Sequence, residues 1–273
     1  MIDLHLHTTA SDGRLSPEEL VVRVAGAGVT VMAVTDHDTI AGLARAEAAA
    51  GSRGIRFVPG IEITAVENGR DVHVLGYFFD RSHKPLTEFL ETQRADRRRR
   101  ITEMCARLAS LGIAVDLDEI LARHAGHAVG RPAIAAALVR GGHVASISEA
   151  FDKYLDTGGA AYVVRQGAPV ADVARVIRDA GGVASVAHPG LHRDPALLER
   201  VAPGPDAIDA IEVFHTDHDT ATRDRLLAFA VARNLLVTGG SDFHGDAAGR
   251  AVGLGRVGLP PPHFERLTER FSG

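Results

Sequence analysis

Fourteen histidines stand against a single cysteine, Cys105, in this 273-residue chain. One thiol excludes an intrachain disulfide and a thiolate zinc cluster, so any metal site must be built from imidazole and carboxylate. The spacing of those groups supports such a site. His5 and His7 lie two apart at the end of an apolar stretch, so on a strand both face one way while Leu4 and Leu6 face the other. Asp242 and His244 repeat the spacing after a late apolar run, and Asp12, His37, Glu62, His73 and His188 sit in or just after other short apolar segments. Imidazole mixed with carboxylate suits Zn, Mn or Fe(II), whereas an all-oxygen site would suit Mg or Ca. These groups exceed the needs of one ion. Two or three clustered ions would use them, and such a centre can orient a phosphoryl group and stabilise the leaving oxygen of an in-line displacement. The bland alternative, unrelated polar caps at strand ends, suits a lone histidine better than two paired motifs with further donors around them.

The elements that must carry these groups alternate. Residues 16–28 read as a helix, with Ser16 as cap, Pro17 in the first turn and Glu19 closing a capping box. A strand follows at 29–34, then an Ala-rich helix at 40–50. Strands at 56–63 and 72–79 flank Asn68-Gly69, a hairpin signal. Strand and helix alternate again after 168, with helices at 168–180 and 220–233 and strands at 183–187, 208–213 and 235–238. The middle differs. Helices are expected at 85–111, from near Asp116, at 131–140 and at 147–155, with few clustered β-branched residues between. The expectation is an α/β barrel formed by residues 1–97 and 163–273, interrupted by a helical insertion at 98–162 that covers the substrate pocket. In an α/β barrel the C-terminal strand ends converge on one face, where active sites lie.

Composition narrows the function classes. Hydrophobic residues make up 45% and charged residues 24%, with a formal charge of −5, which describes a globular protein and argues against indiscriminate nucleic-acid binding. The opening Met-Ile-Asp-Leu-His has no basic or apolar leader character, and no apolar run approaches a membrane span, so a soluble cytoplasmic protein is expected, with no membrane and no obligate protein partner. No signature for duplex-DNA reading is present. A helix cannot aim four consecutive side chains one way, so the run Arg97 to Arg100 reads mainly as a solvated helix face, with an RNA path as the alternative. His83, His124, His127, His143 and His263 read as ordinary loop or surface residues, and His192 and His218 have weak claims to the site.

Several motifs carry a resemblance. Asp3-Leu4-His5-Leu6-His7-Thr8-Thr9-Ala10-Ser11-Asp12-Gly13, Thr35-Asp36-His37-Asp38-Thr39, Pro59-Gly60-Ile61-Glu62-Ile63, Ala187-His188-Pro189 and Gly240-Ser241-Asp242-Phe243-His244 occur in order along the chain. Together they resemble the motifs of the PHP family, the polymerase and histidinol phosphatase superfamily. Gly130-Arg131-Pro132-Ala133-Ile134-Ala135, Glu149-Ala150-Phe151 and Tyr154-Leu155 are similar to the helical insertion of the branch of nucleoside 3',5'-bisphosphate phosphatases and 5'-to-3' exoribonucleases. That branch often has His where this chain has Ala133.

The resemblance implies a distorted (β/α)7 barrel and a trinuclear metal centre, with Mn2+ the leading expectation and Zn2+ or Fe2+ as alternatives. It implies a first ion on His5, His7, Glu62 and Asp242, a second on Asp12, His37 and His244, and a third on Glu62, His73 and His188. A hydroxide bridging the first two, held through Asp242, His37 and His244, would attack phosphorus. Arg131 and His215 would contact substrate phosphate, with His215 also able to aid the leaving group. Asp36 and Asp38 would orient imidazoles or stabilise their loop. The implied activity is a metal-dependent phosphoesterase that removes the 3'-phosphate of a nucleoside 3',5'-bisphosphate such as pAp, with 5'-to-3' exonuclease action on short 5'-phosphorylated RNA. The competing readings are a nucleoside monophosphate or histidinol phosphate phosphatase, and a non-catalytic metal-binding module.

Overall fold

The computed structural model describes residues 1–123, 128–192, 194, 196–202, 204, 207–245 and 253–270. His124 and His127 therefore lie outside the described residues.

Seven strands pair in chain order in one sheet: β1 (Ile2–Asp3), β2 (Val31–Val34), β3 (Arg56–Glu67), β4 (Arg70–Tyr77), β5 (Val183–Val186), β6 (Ala210–His215) and β7 (Leu236–Gly240). Every adjacent pair is parallel except those made by β4, which runs against both neighbours. The ends meet. Leu4 N–H donates to the Gly239 carbonyl at 3.1 Å, Asp242 N–H donates to the His5 carbonyl at 2.9 Å, and Leu6 bridges Phe243 in parallel. The result is a nearly closed, distorted (β/α)7 barrel. Closure needs a glycine at 240, because a Cβ there would stand 2.3 Å from the His5 nitrogen. The first strand is shorter than its apolar pattern, since beyond Asp3 it pairs through isolated contacts such as these rather than a continuous ladder.

Helices α1 (Pro17–Gly26) and α2 (Leu43–Gly51) follow the first two strands, and the expected Ser16–Glu19 capping box is formed. The β3–β4 hairpin turns through Asn68 and Gly69, both at positive φ, the conformation a tight twisted hairpin requires. Helix α3 (Lys84–Ser110) then leads to α4 (Leu117–Arg123), α5 (Arg131–Arg140) and α6 (Ile147–Ala150), which passes into a π turn at Phe151–Leu155. Residues 147–155 thus differ from the single α-helix expected, because apolar spacing does not distinguish i→i−4 from i→i−5 hydrogen bonding. Helices α7 (Val170–Asp179), α8 (Leu197–Val201), α9 (Thr220–Ala232) and α10 (Pro261–Glu269), with a 3-10 turn at Pro189–Leu191, complete the described elements. Neither α8 nor α10 was expected, although Pro261 at the first turn of α10 is a start signal.

Two apolar clusters hold the chain together. One fills the barrel and its helix layer, with Leu4, Met32, Ile61, Leu75 and Ile211 at its centre. The other contains Ile101, Met104, Leu108, Ile134, Leu138 and Leu155. Helix α3 belongs to both: Leu86 and Leu90 pack in the first, Ile101 onward in the second. Among the described residues no helix is long and apolar enough to cross a membrane.

Candidate metal centre

Because six strands run the same way, the residues at their C-terminal ends share one rim, and antiparallel β4 reaches that rim from nearer its start. His5 and His7 follow β1, His37 follows β2, Glu62 lies in β3, His73 in β4, His188 follows β5, His215 ends β6, and Asp242 and His244 follow β7. Asp12 comes from the loop after His7. The expected donors are all brought together. Asp38, His188 and Asp242 adopt positive φ, a strained conformation for non-glycine residues that recurs where function fixes a side chain.

Glu62 is at the middle and nearly fully buried. Its Oε2 lies 3.5 Å from His5 Nε2, 3.3 Å from His7 Nε2 and 3.1 Å from His37 Nδ1. Its Oε1 lies 2.8 Å from His73 Nδ1 and 3.4 Å from His188 Nε2. One carboxylate therefore faces two sets of imidazoles. Asp242 Oδ1 stands 3.3 Å from His5 Nε2 and 3.2 Å from His7 Nε2. Asp12 stands 3.7 Å from His37 Nε2 and 3.3 Å from His244 Nε2.

Three overlapping groups could each hold an ion: His5 with His7 and Asp242; His7 with Asp12, His37 and His244; and His37 with Glu62 and His73. The fit is chemical as well as spatial. His5 Nε2, His7 Nδ1 and Nε2, His37 Nδ1 and both Glu62 oxygens are buried without a hydrogen-bond partner. Orphaned polar atoms at this density are costly unless a cation joins them. The electrostatics agree. Burial opposes ionisation of Glu62, yet the imidazoles of His73 and His5 hold its carboxyl well below the usual range. Burial pushes His37 down to about 3, so it stays neutral and able to ligate.

Hydrogen bonds fix the tautomers. Glu212 Oε1 accepts from His5 Nδ1 at 2.9 Å, which leaves Nε2 as the lone pair facing the cluster. The Asp242 carbonyl accepts from His244 Nδ1 at 2.8 Å with the same consequence. His215 is the reverse case. Its Nδ1 accepts from Asp217 N–H at 3.1 Å, so in the neutral ring Nε2 carries the hydrogen and is a donor, 3.5 Å from Asp242 Oδ2. His218 is used up structurally, between the Val213 carbonyl and Gly190 N–H.

A family model for the PHP domain matches residues 3–157. The chain belongs to the PHP family. A 5'-3' exoribonuclease from Haemophilus influenzae is 38% identical over 248 residues, covering 89% of each chain. A 3',5'-nucleoside bisphosphate phosphatase from Chromobacterium violaceum is 35% identical, covering 99% of this chain and 97% of its own. A solved structure from Bifidobacterium adolescentis, described as that of a metal-dependent phosphoesterase, superposes with a TM-score of 0.87 at 33% identity, covering 98% of this chain and 95% of that one.

Above the donors, the pocket of this PHP protein is walled by arginine. A cavity of about 270 Å3 is lined by Arg97, Arg100, Arg131 and Arg165 as well as by Asp12, His37, Glu62, His73, His188, Asp242 and His244. The expectation of a mainly solvated face for Arg97 to Arg100 is corrected here. Arg97 and Arg100, three apart on α3, share the inward face and are largely buried, while Arg98 is exposed and Arg99 pairs with Asp96 and Glu103. Arg131 lines the same pocket. Asp38 receives Arg97 and Arg165, the latter at 3.0 Å, so its role is to hold guanidiniums rather than an imidazole. Asp36 accepts from Thr8 N–H at 2.8 Å and from the Thr8 and Ser11 hydroxyls, each at 2.6 Å, and so pins the loop that carries Asp12. Ala133 packs beside the second apolar cluster. Glu212, Asp71, Arg100 and Arg165 carried no motif signal; the i,i+3 spacing of Arg97 and Arg100 was the one clue.

Proposed function

We propose that this protein is a divalent-metal-dependent phosphoesterase that removes the 3'-phosphate from nucleoside 3',5'-bisphosphates, leaving a 5'-nucleotide. The observation that carries the reading is the pairing, in one pocket, of an orphaned histidine–carboxylate floor with a wall of four guanidiniums. His5, His7, Glu62 and Asp242 would hold a first ion, Asp12, His37 and His244 a second, and Glu62, His73 and His188 a third, with Mn2+ favoured for mixed imidazole–carboxylate donors. When bound, divalent ions lower the pKa of water and neutralise phosphoryl charge. The chain's own groups do the positioning. Arg131 offers a rigid fork to phosphate oxygens. His215, expected on substrate phosphate, is instead buried and absent from the pocket lining; with Nε2 3.5 Å from Asp242 Oδ2 it would orient that carboxylate. Residues 98–162 serve as an insertion that roofs the pocket and keeps bulk water away. The Chromobacterium relative, similar over nearly the whole chain, supports this substrate class.

A second reading, shortening of small 5'-phosphorylated RNAs, has a specific observation in its favour. A groove on the outer side of α3, lined by Arg94, Arg98 and Arg99 together with Glu91 and Glu103, shares Ala128 and Val129 with the pocket. Exposed Arg98 would give a strand leaving the site a basic contact there. The deciding experiment assays pAp, histidinol phosphate, 5'-AMP and short 5'-phosphorylated RNAs side by side with added Mn2+, with Asp242→Asn as the metal-deficient control. We expect pAp to have the highest kcat/KM and the control to lose both turnover and metal. Preference for histidinol phosphate or 5'-AMP overturns the bisphosphate assignment, and full turnover by the control removes Asp242 from the centre.

A further inference from the structure

Beneath the donors the inside of the barrel holds a further carboxylate. Asp3, His5 and His7 are two apart, so in extended chain they share one face, and each step advances about 6.7 Å. Asp3 is therefore one rung below the first donor. It is fully buried, and it is not among the residues that line the cavity above. A carboxylate in such a place is costly unless donors meet it. Its Oδ1 accepts from two backbone amides, Ser241 N–H at 2.9 Å and His5 N–H at 3.3 Å. The backbone comes close to do this: a Cβ at Gly240 would stand 2.7 Å from the same oxygen.

Those two amides belong to the two chelating segments. His5 opens the His5–His7 pair, and Ser241 immediately precedes the Asp242–His244 pair. Both lie one or two residues beyond the ends of their strands, β1 at Asp3 and β7 at Gly240. Asp3 thus supplies an acceptor where the ladder has stopped. Two backbone bonds also join the segments, Asp242 N–H to the His5 carbonyl at 2.9 Å and His7 N–H to the Phe243 carbonyl at 3.0 Å. On the donor side of this seam, Asp242 Oδ1 stands 3.3 Å from His5 Nε2 and 3.2 Å from His7 Nε2. Asp242 reaches that position at positive φ, a conformation that persists only where its surroundings fix it. One oxygen shared by the His5 amide and the amide next to Asp242 holds both segments from below.

We propose that Asp3 is a positioning residue for the metal centre: by tying the His5 and Ser241 amides to one oxygen, it sets the bite of His5, His7 and Asp242 on the first ion. This rests on the metal assignment above. The second and third ions draw most of their donors from loops and strands that Asp3 does not touch, so its effect is selective for the first. The charge of the carboxylate matters as well as its shape, because an ionised acceptor makes hydrogen bonds roughly twice as strong as a neutral one.

The test measures Mn2+ bound per chain as chelator rises, for wild type, Asp3→Asn, Asp3→Ala and Asp242→Asn, with the melting temperature of each metal-free protein alongside. Asp3→Ala removes the acceptor, and one ion should leave at about ten-fold to hundred-fold lower chelator than in wild type. Asp3→Asn keeps the shape and a neutral acceptor, and the same ion should leave at about three-fold to ten-fold lower chelator. The other ions should leave as in wild type. That graded rescue, confined to one ion, is not what a space-filling role gives. Wild-type release of every ion from Asp3→Asn overturns the proposal, and this variant keeps the test available if Asp3→Ala does not fold. Equal loosening of all ions together with a lower metal-free melting temperature also overturns it, and assigns Asp3 to barrel closure alone. Asp242→Asn separates the two readings. If it keeps all its ions, the metal assignment fails and the proposal with it. If it loses the first ion while the Asp3 variants do not, the assignment stands and only the role of Asp3 falls.

Discussion

Glu212 has no phosphate or metal-ligand signature in the sequence, yet it is fully buried behind the donors. It accepts from His5 Nδ1 at 2.9 Å and, through its other oxygen, from His188 N–H at 2.7 Å. It therefore fixes the ring that ends β1 and the strained loop that follows β5. Burial opposes its charge, but His5 keeps its carboxyl below the usual range. Glu212→Gln preserves the shape and removes the strong acceptor, so metal affinity should fall about ten-fold to hundred-fold while the fold persists. Chelator competition reads this directly, and a wild-type titration curve would assign Glu212 to packing alone. His5 and His7 were legible because a two-residue spacing on extended chain puts both side chains on one face, whereas Asp242 and His244 share the spacing but meet the cluster through a positive φ at Asp242. Glu212 was not, because its partner His5 is 207 positions away and only barrel closure makes them neighbours.

At the scale of elements, the Arg97–Asp38–Arg165 triad ties three pieces together: the loop after β2, the middle of α3 and the segment before α7. Burial works against the Asp38 carboxylate, but Arg97 and Arg165 hold its pKa well below the usual range. A depressed carboxyl contributes stability that is complete above its unfolded pKa, near 3.9, and is lost as pH falls toward the folded value. Asp38→Asn leaves two buried guanidiniums uncompensated, a loss of about 3 to 5 kcal/mol at pH 7. Urea unfolding of metal-free protein should show that difference at pH 7 and a narrower one at pH 3. A gap independent of pH would mean that the asparagine variant suffers from packing rather than charge. The capping box at Ser16 and the Asn68-Gly69 turn could be read ahead because both are local. The inward face of the arginine run could not, since helical spacing groups Arg97 with Arg100 without saying which side meets a cavity.

For the molecule as a whole, the barrel was legible from alternating elements and the ligand motifs, whereas the two-core arrangement is decided by helix packing that apolar spacing leaves open. The ends of the segment carrying the second cluster lie together, since Arg100 donates to the Val163 carbonyl at 2.8 Å. Replacing residues 101–162 with a short glycine–serine linker should leave a folded, metal-loaded barrel whose preference for pAp over p-nitrophenyl phosphate is lost. Metal content and the ratio of the two activities measure this; an aggregated product lacking metal would show that the two clusters fold only as one. Helix α3 passes from one cluster to the other without a break across 27 residues. The two clusters therefore share a single helix axis. One residue added between Leu90 and Arg97 would turn everything beyond it by about 100° and advance it by about 1.5 Å. Arg97 and Arg100 would swing out of the pocket, and Ile101, Met104 and Leu108 out of the second cluster, with only the helix's own backbone hydrogen bonds still satisfied. In descent, the length of this helix is then quantised: changes near whole turns keep the arginines and the apolar face in phase, and a single-codon insertion or deletion dephases both at once.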